Sequence, residues 1–365
     1  MKLRKKHTLF LGVALLAAGL LTLLSVFVYI GFDFTKLNGI DLTQKTVSIE
    51  EPFDSISIDA DWFDVKVLPQ SEGSTAQLLA PEGQNLHTEC SVKDGTLSVA
   101  VKDTRPWYER FFSFTPDELG SVTVYLPADI YHELKITANT GDIRVDSDTP
   151  EALFFEETRI QVSTGDIFYH ADIPQNTPFV PEHMHGVVLL ESSTGDITIN
   201  DTDAYVIRAL TTTGDVTITD SSARILKVNC DTGDVLLRNM RGDVESGALD
   251  LAIETSTGDV TLTNGTLASG HITTSTGDVN VDTGITTHEL RIHTSTGEVT
   301  VKEHSANFIS IETSSGDVLC DGTSSRRFSV ITSSGDVECP PSAQKGDYCE
   351  VKTSSGDVTI INTPN

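Results

Sequence analysis

Residues 272–281 read ITTSTGDVNV, and the phrase returns as IHTSTGEVTV at 292–301 and IETSSGDVLC at 311–320. A glycine sets its register, recurring at Gly141, Gly165, Gly195, Gly214, Gly233, Gly258, Gly277, Gly297, Gly316, Gly335 and Gly356. The steps between them are 24, 30, 19, 19, 25, 19, 20, 19, 19 and 21 residues, and self-similarity at such a period marks a repeat architecture. Five residues before each glycine stands a small or aliphatic apolar side chain, such as Ile136, Ile272, Ile292, Ile311 and Val351. Two residues after it stands another, such as Ile143, Val279, Val299, Val318 and Val358. Two further on come mostly Val, Ile or Leu, with Tyr169, Cys320 and Cys339 as departures. Apolar and polar residues thus alternate on both sides of the glycine, which is the period of a half-buried strand and not of a helix.

Each repeat reads as strand, Ser/Thr-rich turn, strand. A single copy of about 20 residues cannot bury its apolar face, whereas stacked copies let every backbone N–H and C=O find a partner in the layer above or below. The sequence predicts an all-β fold, a β-solenoid of single-stranded β-helix type with about eleven coils of roughly 19–20 residues. At about 4.8 Å per layer it would be a rod on the order of 50 Å long. Propeller blades need about 40–45 residues each, twice the observed step.

Glycine at the corner supplies backbone angles closed to other residues, and the Ser, Thr and Asp around it bond to nearby backbone groups. Thr255, Thr274, Thr294, Thr313, Thr332 and Thr353 all fall three residues before their glycine, a slot taken by Cys230 in its own coil, and are expected to stack as a hydroxyl ladder. Cys320 and Cys339 hold equivalent positions in what the spacing makes adjacent coils, within disulfide reach or packed as small hydrophobes.

Directly after each glycine comes an acid: Asp142, Asp166, Asp196, Asp215, Asp234, Asp259, Asp278, Glu298, Asp317, Asp336 and Asp357. In register, these carboxylates form a file about 4.8 Å apart, where repulsion must be offset. Either each Asp is a turn former bonded at its corner, or the file takes Ca²⁺ or a basic ligand. The binding residues expected on the second reading are Asp215, Asp234, Asp259, Asp278, Glu298, Asp317, Asp336 and Asp357; no other cofactor is implied.

Insertions break the period at 146–160, 168–190 and 242–249. The second holds His170, His183 and His185, which lack a fourth ligand at diagnostic spacing for a metal. Arg241, Gly242 and Asp243 spell a cell-attachment tripeptide, read as coincidence, at the place where a second corner of the coil is due.

The net charge of −28 argues against nucleic acid as a partner, since phosphate contacts need Lys and Arg. Five cysteines are too few and too scattered for a disulfide scaffold. At the N-terminus Lys2, Arg4, Lys5 and Lys6 precede an uncharged run from Leu9 to Phe32. The run is long enough to cross a hydrocarbon core of about 30 Å and longer than a cleaved signal peptide's apolar stretch of about 7–15 residues. It is read as one transmembrane helix, an uncleaved signal anchor with a cytoplasmic N-terminus, which places residues 33–365 outside the cell membrane.

The resulting division is a basic cytoplasmic tail at 1–8, the anchor at 9–32, a linker at 33–46, an irregular β region with a cap at 47–135, the solenoid at 136–361 and a tail at 362–365. Trp107, Tyr108, Phe111, Phe112 and Phe114 crowd the first β region and are expected either to cap the stack or to meet the membrane interface.

The stretch VTVYLPADIYHELKITANTGDIRV at 122–145, followed by the serial TSTGDV phrases, resembles the "putative adhesin" family of Gram-positive envelope proteins with β-strand repeats. The resemblance implies a β-solenoid ectodomain, a link to envelope-stress systems and no catalytic residue. Three functions follow as expectations. The first is a non-catalytic adhesin or envelope scaffold that binds envelope glycans or basic surface proteins. The second is a membrane-linked stress sensor or regulatory partner. The third, a polysaccharide-active β-helix enzyme, would need acids and a base converging in a groove, and Arg326 and Arg327 are the only adjacent basic pair in the repeats.

Overall fold

The computed structural model describes residues 15–22, 24–25, 27–29, 43–104, 120–147, 152–171, 186–242, 247–321 and 326–361. Of the anticipated anchor, residues 15–22, 24–25 and 27–29 are helical. Among the described residues no helix is long and apolar enough to cross a membrane. All the described strands join one hydrogen-bonded system.

The repeat folds as its periodicity requires. A long strand before each glycine and a strand after it pair in parallel with their equivalents in the next layer: Val260 aligns with Val279 and Val279 with Val299, while Ile272 aligns with Ile292 and Ile292 with Ile311. The inward side chains Ile272, Ile292, Ile311, Val279, Val299 and Val318 are at most 2% exposed. Each such burial contributes about 1.5–3 kcal/mol, so the core is a column of small increments and not one large cluster.

Stacking order departs from sequence order at both ends. At the N-terminal end the relevant strands are β1 (Thr43–Ile49), β2 (Ser55–Asp61), β3 (Asp64–Gln70), β4 (Ala76–Glu82), β5 (Leu86–Lys93), β6 (Thr96–Asp103), β7 (Ser121–Pro127), β8 (Ile130–Thr140) and β9 (Ile143–Asp146). The β2–β3 pair forms a layer lying between β8–β9 on one side and β6–β7 on the other, all in parallel. Beyond that, β5 runs antiparallel on β6, β4 on β7 and β1 on β4. The parallel ladder therefore ends in strands of opposite direction. The expected aromatic cap, Trp107 to Phe114, lies outside the described residues.

At the C-terminal end the coil of Gly356 slides between two coils that are consecutive in sequence. Strand Tyr348–Ser355 pairs with Val299–Ser315 on one side and with Arg327–Ser334 on the other, and Val358–Ile361 likewise lies between Val318–Asp321 and Val337–Glu338. Side chains on the outer face follow the same order: the Phe308 and Tyr348 rings stack at 5.6 Å, and Arg327 lies over Tyr348 at 5.3 Å. The expectation that Cys320 and Cys339 occupy adjacent coils is corrected by this, because both Cys320 and Val337's strand flank the inserted coil and Cys320 aligns with Ile360. A constant period gives no warning of it, since either order satisfies the same register.

This order carries a consequence for the terminal layer. Removing residues 346–365 takes away the only described partner of strand Arg327–Ser334, and its amides should lose hydrogen-exchange protection while those of 186–321 keep theirs. Continued protection of 327–334 in the truncated chain would mean that the strand docks directly on Val299–Ser315 once the inserted coil is gone.

Candidate functional site: the glycine-cornered acidic edge

The corner is built by contact between backbones. At Gly277, with φ of +153°, an added Cβ would stand 2.0 Å from the Gly258 carbonyl oxygen, and the glycines on either side repeat that approach. No residue with a side chain fits a column packed so closely. The slot three residues earlier closes it from inside: Ser192 and Thr211 donate to the Gly165 and Gly195 carbonyls at 3.0 and 3.1 Å, and Thr274 and Thr294 reach Gly258 and Gly277 at 3.4 Å. Cys230 makes the same contact to the Gly214 carbonyl at 3.3 Å, so the expected column forms in register with a thiol standing in, while the buried Thr255 and Thr313 hydroxyls have no hydrogen-bond partner.

The acids after the glycines form the file that the repeat implies, and all are exposed except Asp278, which is half-buried. One Asp carboxylate oxygen accepts a hydrogen bond from the backbone N–H of the equivalent residue in the next layer. The bonds run from Asp215 to Asp196, Asp234 to Asp215, Asp259 to Asp234 and Asp278 to Asp259 at 2.7–2.8 Å, and from Glu298 to Asp278 at 2.7 Å. They continue from Asp357 to Asp317 and from Asp336 to Asp357, both at 2.8 Å, which again records the inserted coil. The acid is thus a corner former, bonded to its neighbour's corner and not to its own. The longer Glu298 interrupts the series, since the bond found at the other steps does not occur between Asp317 and Glu298 among the described residues. Asp64 starts the file beneath Asp142 at 2.9 Å, in a layer whose corner has Trp62 and Phe63 in place of glycine.

A second corner escapes the glycine count. Six residues after the glycine, Asp201, Asp220, Asn239, Asn264, Thr283 and Glu303 adopt positive φ between 42° and 56°. Asn239 donates to Asp220 at 2.7 Å and Asn264 to Asn239 at 3.0 Å, a short amide ladder. The signal was present as Asp or Asn at this slot in four successive repeats, residue types that tolerate the left-handed region. It places the corner at Asn239, ahead of Arg241. Arg241 and Gly242 form a short strand on Ser222 and Ala223, and a Cβ on Gly242 would lie 2.2 Å from the Gly247 backbone, which gives the glycine a packing role; Asp243 lies outside the described residues.

Other candidates are dispersed. His170 meets Asp146 at 3.5 Å, and His183 and His185 lie outside the described residues. Among the described residues no group of three or more His, Cys, Asp or Glu side chains is arranged to hold a metal ion. On the outer face, Arg159 and Arg208 stand on either side of Leu189 in successive layers and line a shallow groove with Gln161, Glu191 and Leu210. Inside the stack, His304 is wholly buried, with Nε2 2.8 Å from the Thr286 hydroxyl and Nδ1 unpartnered. Burial, helped by the nearby Arg326 cation, pushes its pKa down to about 4.

Fold and edge together define a β-solenoid whose polar chemistry is repeated along one side and not gathered at one centre. The chain belongs to the Toastrack DUF4097 family, matched over residues 53–283 and 244–364. Among solved structures it is similar to a putative adhesin from Bacteroides fragilis at 13% identity, covering 88% of this chain and 97% of that one, with a TM-score of 0.29. A putative adhesin from Parabacteroides distasonis shares 13% identity over 88% and 97% of the two chains, with a TM-score of 0.35. A putative lipid binding protein from Parabacteroides distasonis shares 11% over 90% and 98%, with a TM-score of 0.33. None of the curated proteins matches the chain. The family match carries no restriction to Gram-positive envelopes.

Two predictions come from this geometry. Asp259→Ala removes the acceptor of the Asp278 N–H and should lower stability by about 1 kcal/mol in a denaturant titration, whereas Glu298→Asp completes the file and should raise it by a similar amount. His304 binds a proton more readily in the unfolded chain, near 6.5, than in the folded one, near 4. Its contribution is therefore complete above about pH 6.5 and falls by roughly 3 kcal/mol as the pH drops towards 4. Melting midpoints measured across that window should show the slope, and His304→Gln should flatten it.

Proposed function

We propose that this chain is a membrane-tethered, extracytoplasmic binding rod, a non-catalytic adhesin or envelope scaffold whose acidic edge engages basic surface proteins. The observation that carries this reading is the file of exposed carboxylates held in fixed register by the amides of the next layer. Each Asp uses one oxygen for that bond, so the edge offers evenly spaced negative charge at little further cost in side-chain order. Such an edge is suited to Lys-rich and Arg-rich partners and to fast, salt-sensitive capture. The tether rests on the uncharged run from Leu9 to Phe32 behind four basic residues. Leu15, Leu16, Leu20 and Leu21, 65–70% exposed on their helical segment, support it, because a helix apolar all round calls for an apolar surrounding.

Binding of the detergent-purified full chain to a lysine-rich polypeptide surface tests the edge. The combined substitution Asp215→Asn, Asp234→Asn, Asp259→Asn and Asp278→Asn keeps every amide acceptor and removes four charges. It should weaken binding at least about tenfold at low salt while leaving the circular dichroism unchanged. Equal binding by the two chains would sink the proposal. Capture of an anionic envelope glycan, lost on Arg159→Gln with Arg208→Gln, would move the site to the outer groove.

A further inference from the structure

The inserted coil sets three cysteines in three successive layers of the stack. Cys320 stands four residues after Gly316 and Cys339 four after Gly335, while Cys349 stands seven before Gly356. These two slots face one another across the interior: in the coil of Gly165, Thr158 and Tyr169 occupy them, and their hydroxyl oxygens meet at 3.0 Å. Because the coil of Gly356 lies between the other two, Cys349 has Cys320 in the layer on one side and Cys339 in the layer on the other. Cys320 and Cys349 are both wholly buried, in facing slots of adjacent layers, and their thiols interact there. Cys320 and Cys339 are separated by two layers, about 9.6 Å, beyond the Cα reach of about 7 Å that a disulfide allows.

A buried cation completes the cluster. Arg326 is 2% exposed, its Nε and one terminal nitrogen have no hydrogen-bond partner, and it lies within electrostatic range of both sulfurs. An unpaired guanidinium is costly in a core, and a neighbouring negative charge offsets that cost. A thiolate on the cysteine pair is such a charge.

We propose that Cys320 and Cys349 are a redox-active pair that closes as a disulfide and staples the inserted C-terminal coil to the layer beneath it. The neighbouring Cys349 thiol draws the Cys320 thiol below its ordinary range against the effect of burial, and Arg326 acts in the same direction. The Cys320 thiol and burial together push Cys349 up. Cys320 is then the attacking thiolate and Cys349 holds the proton.

With a small-molecule disulfide as oxidant, Cys320 displaces one thiolate and forms a mixed disulfide. The Cys349 sulfur then attacks Cys320, and its proton leaves with the second small thiol. Two cysteines are oxidised and one small disulfide is reduced to a thiol and a thiolate. Among the described residues the covering layer is paired on one side only, with Ile331 54% and Val337 48% exposed, and its lifting gives the oxidant access.

Trypsin places the three cysteines on separate peptides, 303–326, 328–345 and 346–352, so a peptide map reads the pairing directly. The full chain, purified in detergent, is held in oxidised glutathione, both folded and during refolding from denaturant, then alkylated and digested. The expected product is 303–326 joined to 346–352 with the loss of two hydrogens, split by a reductant and still formed in Cys339→Ser. Full alkylation of Cys320 and Cys349 after both treatments overturns the proposal, as does a link between 303–326 and 328–345.

Discussion

Backbone contact at one corner governs the rest of this molecule. Each glycine carbonyl occupies the space in which the next layer would need a Cβ, and the separation from Gly258 to the position of an added Cβ on Gly277 is 2.0 Å. That closeness keeps successive layers in one register, and register is what puts inward aliphatics on inward aliphatics. A slip by one residue would turn the whole apolar set outwards, so a tight corner and a buried core specify the same alignment. The threonines behind the corner and the aspartates in front of it then bond to whatever backbone group the alignment brings into reach.

Because every layer presents the same corner, the stack does not distinguish a sequence neighbour from any other copy. This explains how coils are inserted at both ends without loss of pairing. At the N-terminus, β2–β3 enters below β8–β9 and the stack then ends under antiparallel strands. At the C-terminus, strand Arg327–Ser334 forms the last layer, with Val330 only partly buried and no strand on its outer side among the described residues. The two ends therefore differ in kind: one ends in a change of strand direction, the other in a coil folded back into the stack.

The sequence made the repeated part of the fold legible because glycine, the inward aliphatics and the following acid recur at fixed offsets. It did not disclose the β2–β3 layer, whose corner is Asp61 with φ of 50° followed by Trp62 and Phe63, with no glycine to count. Nor did it disclose the order of the last coils, since Gly335 and Gly356 carry identical corners and only three-dimensional pairing separates them. At the edge, every acid that follows a glycine was readable, but Asp64, which follows Phe63, was not, and neither was the partner of each carboxylate. The turn-former reading placed the bond within a corner, whereas in the folded chain it crosses to the next one, a contact that exists only between layers.

That crossing bond also settles how a file of like charges persists. Two carboxylates about 4.8 Å apart in water repel by about 1 kcal/mol, and salt reduces this further. A hydrogen bond to a charged acceptor contributes roughly 1.5–3 kcal/mol, and each Asp in the run from Asp196 to Asp278 makes one. The bond outweighs the repulsion layer by layer, so the file needs no cation to hold its register. What remains is an edge whose negative charge belongs to the fold itself, fixed in position before any partner arrives. A basic ligand that meets it finds the repulsion already offset, and its binding energy goes into the contact and not into ordering the site.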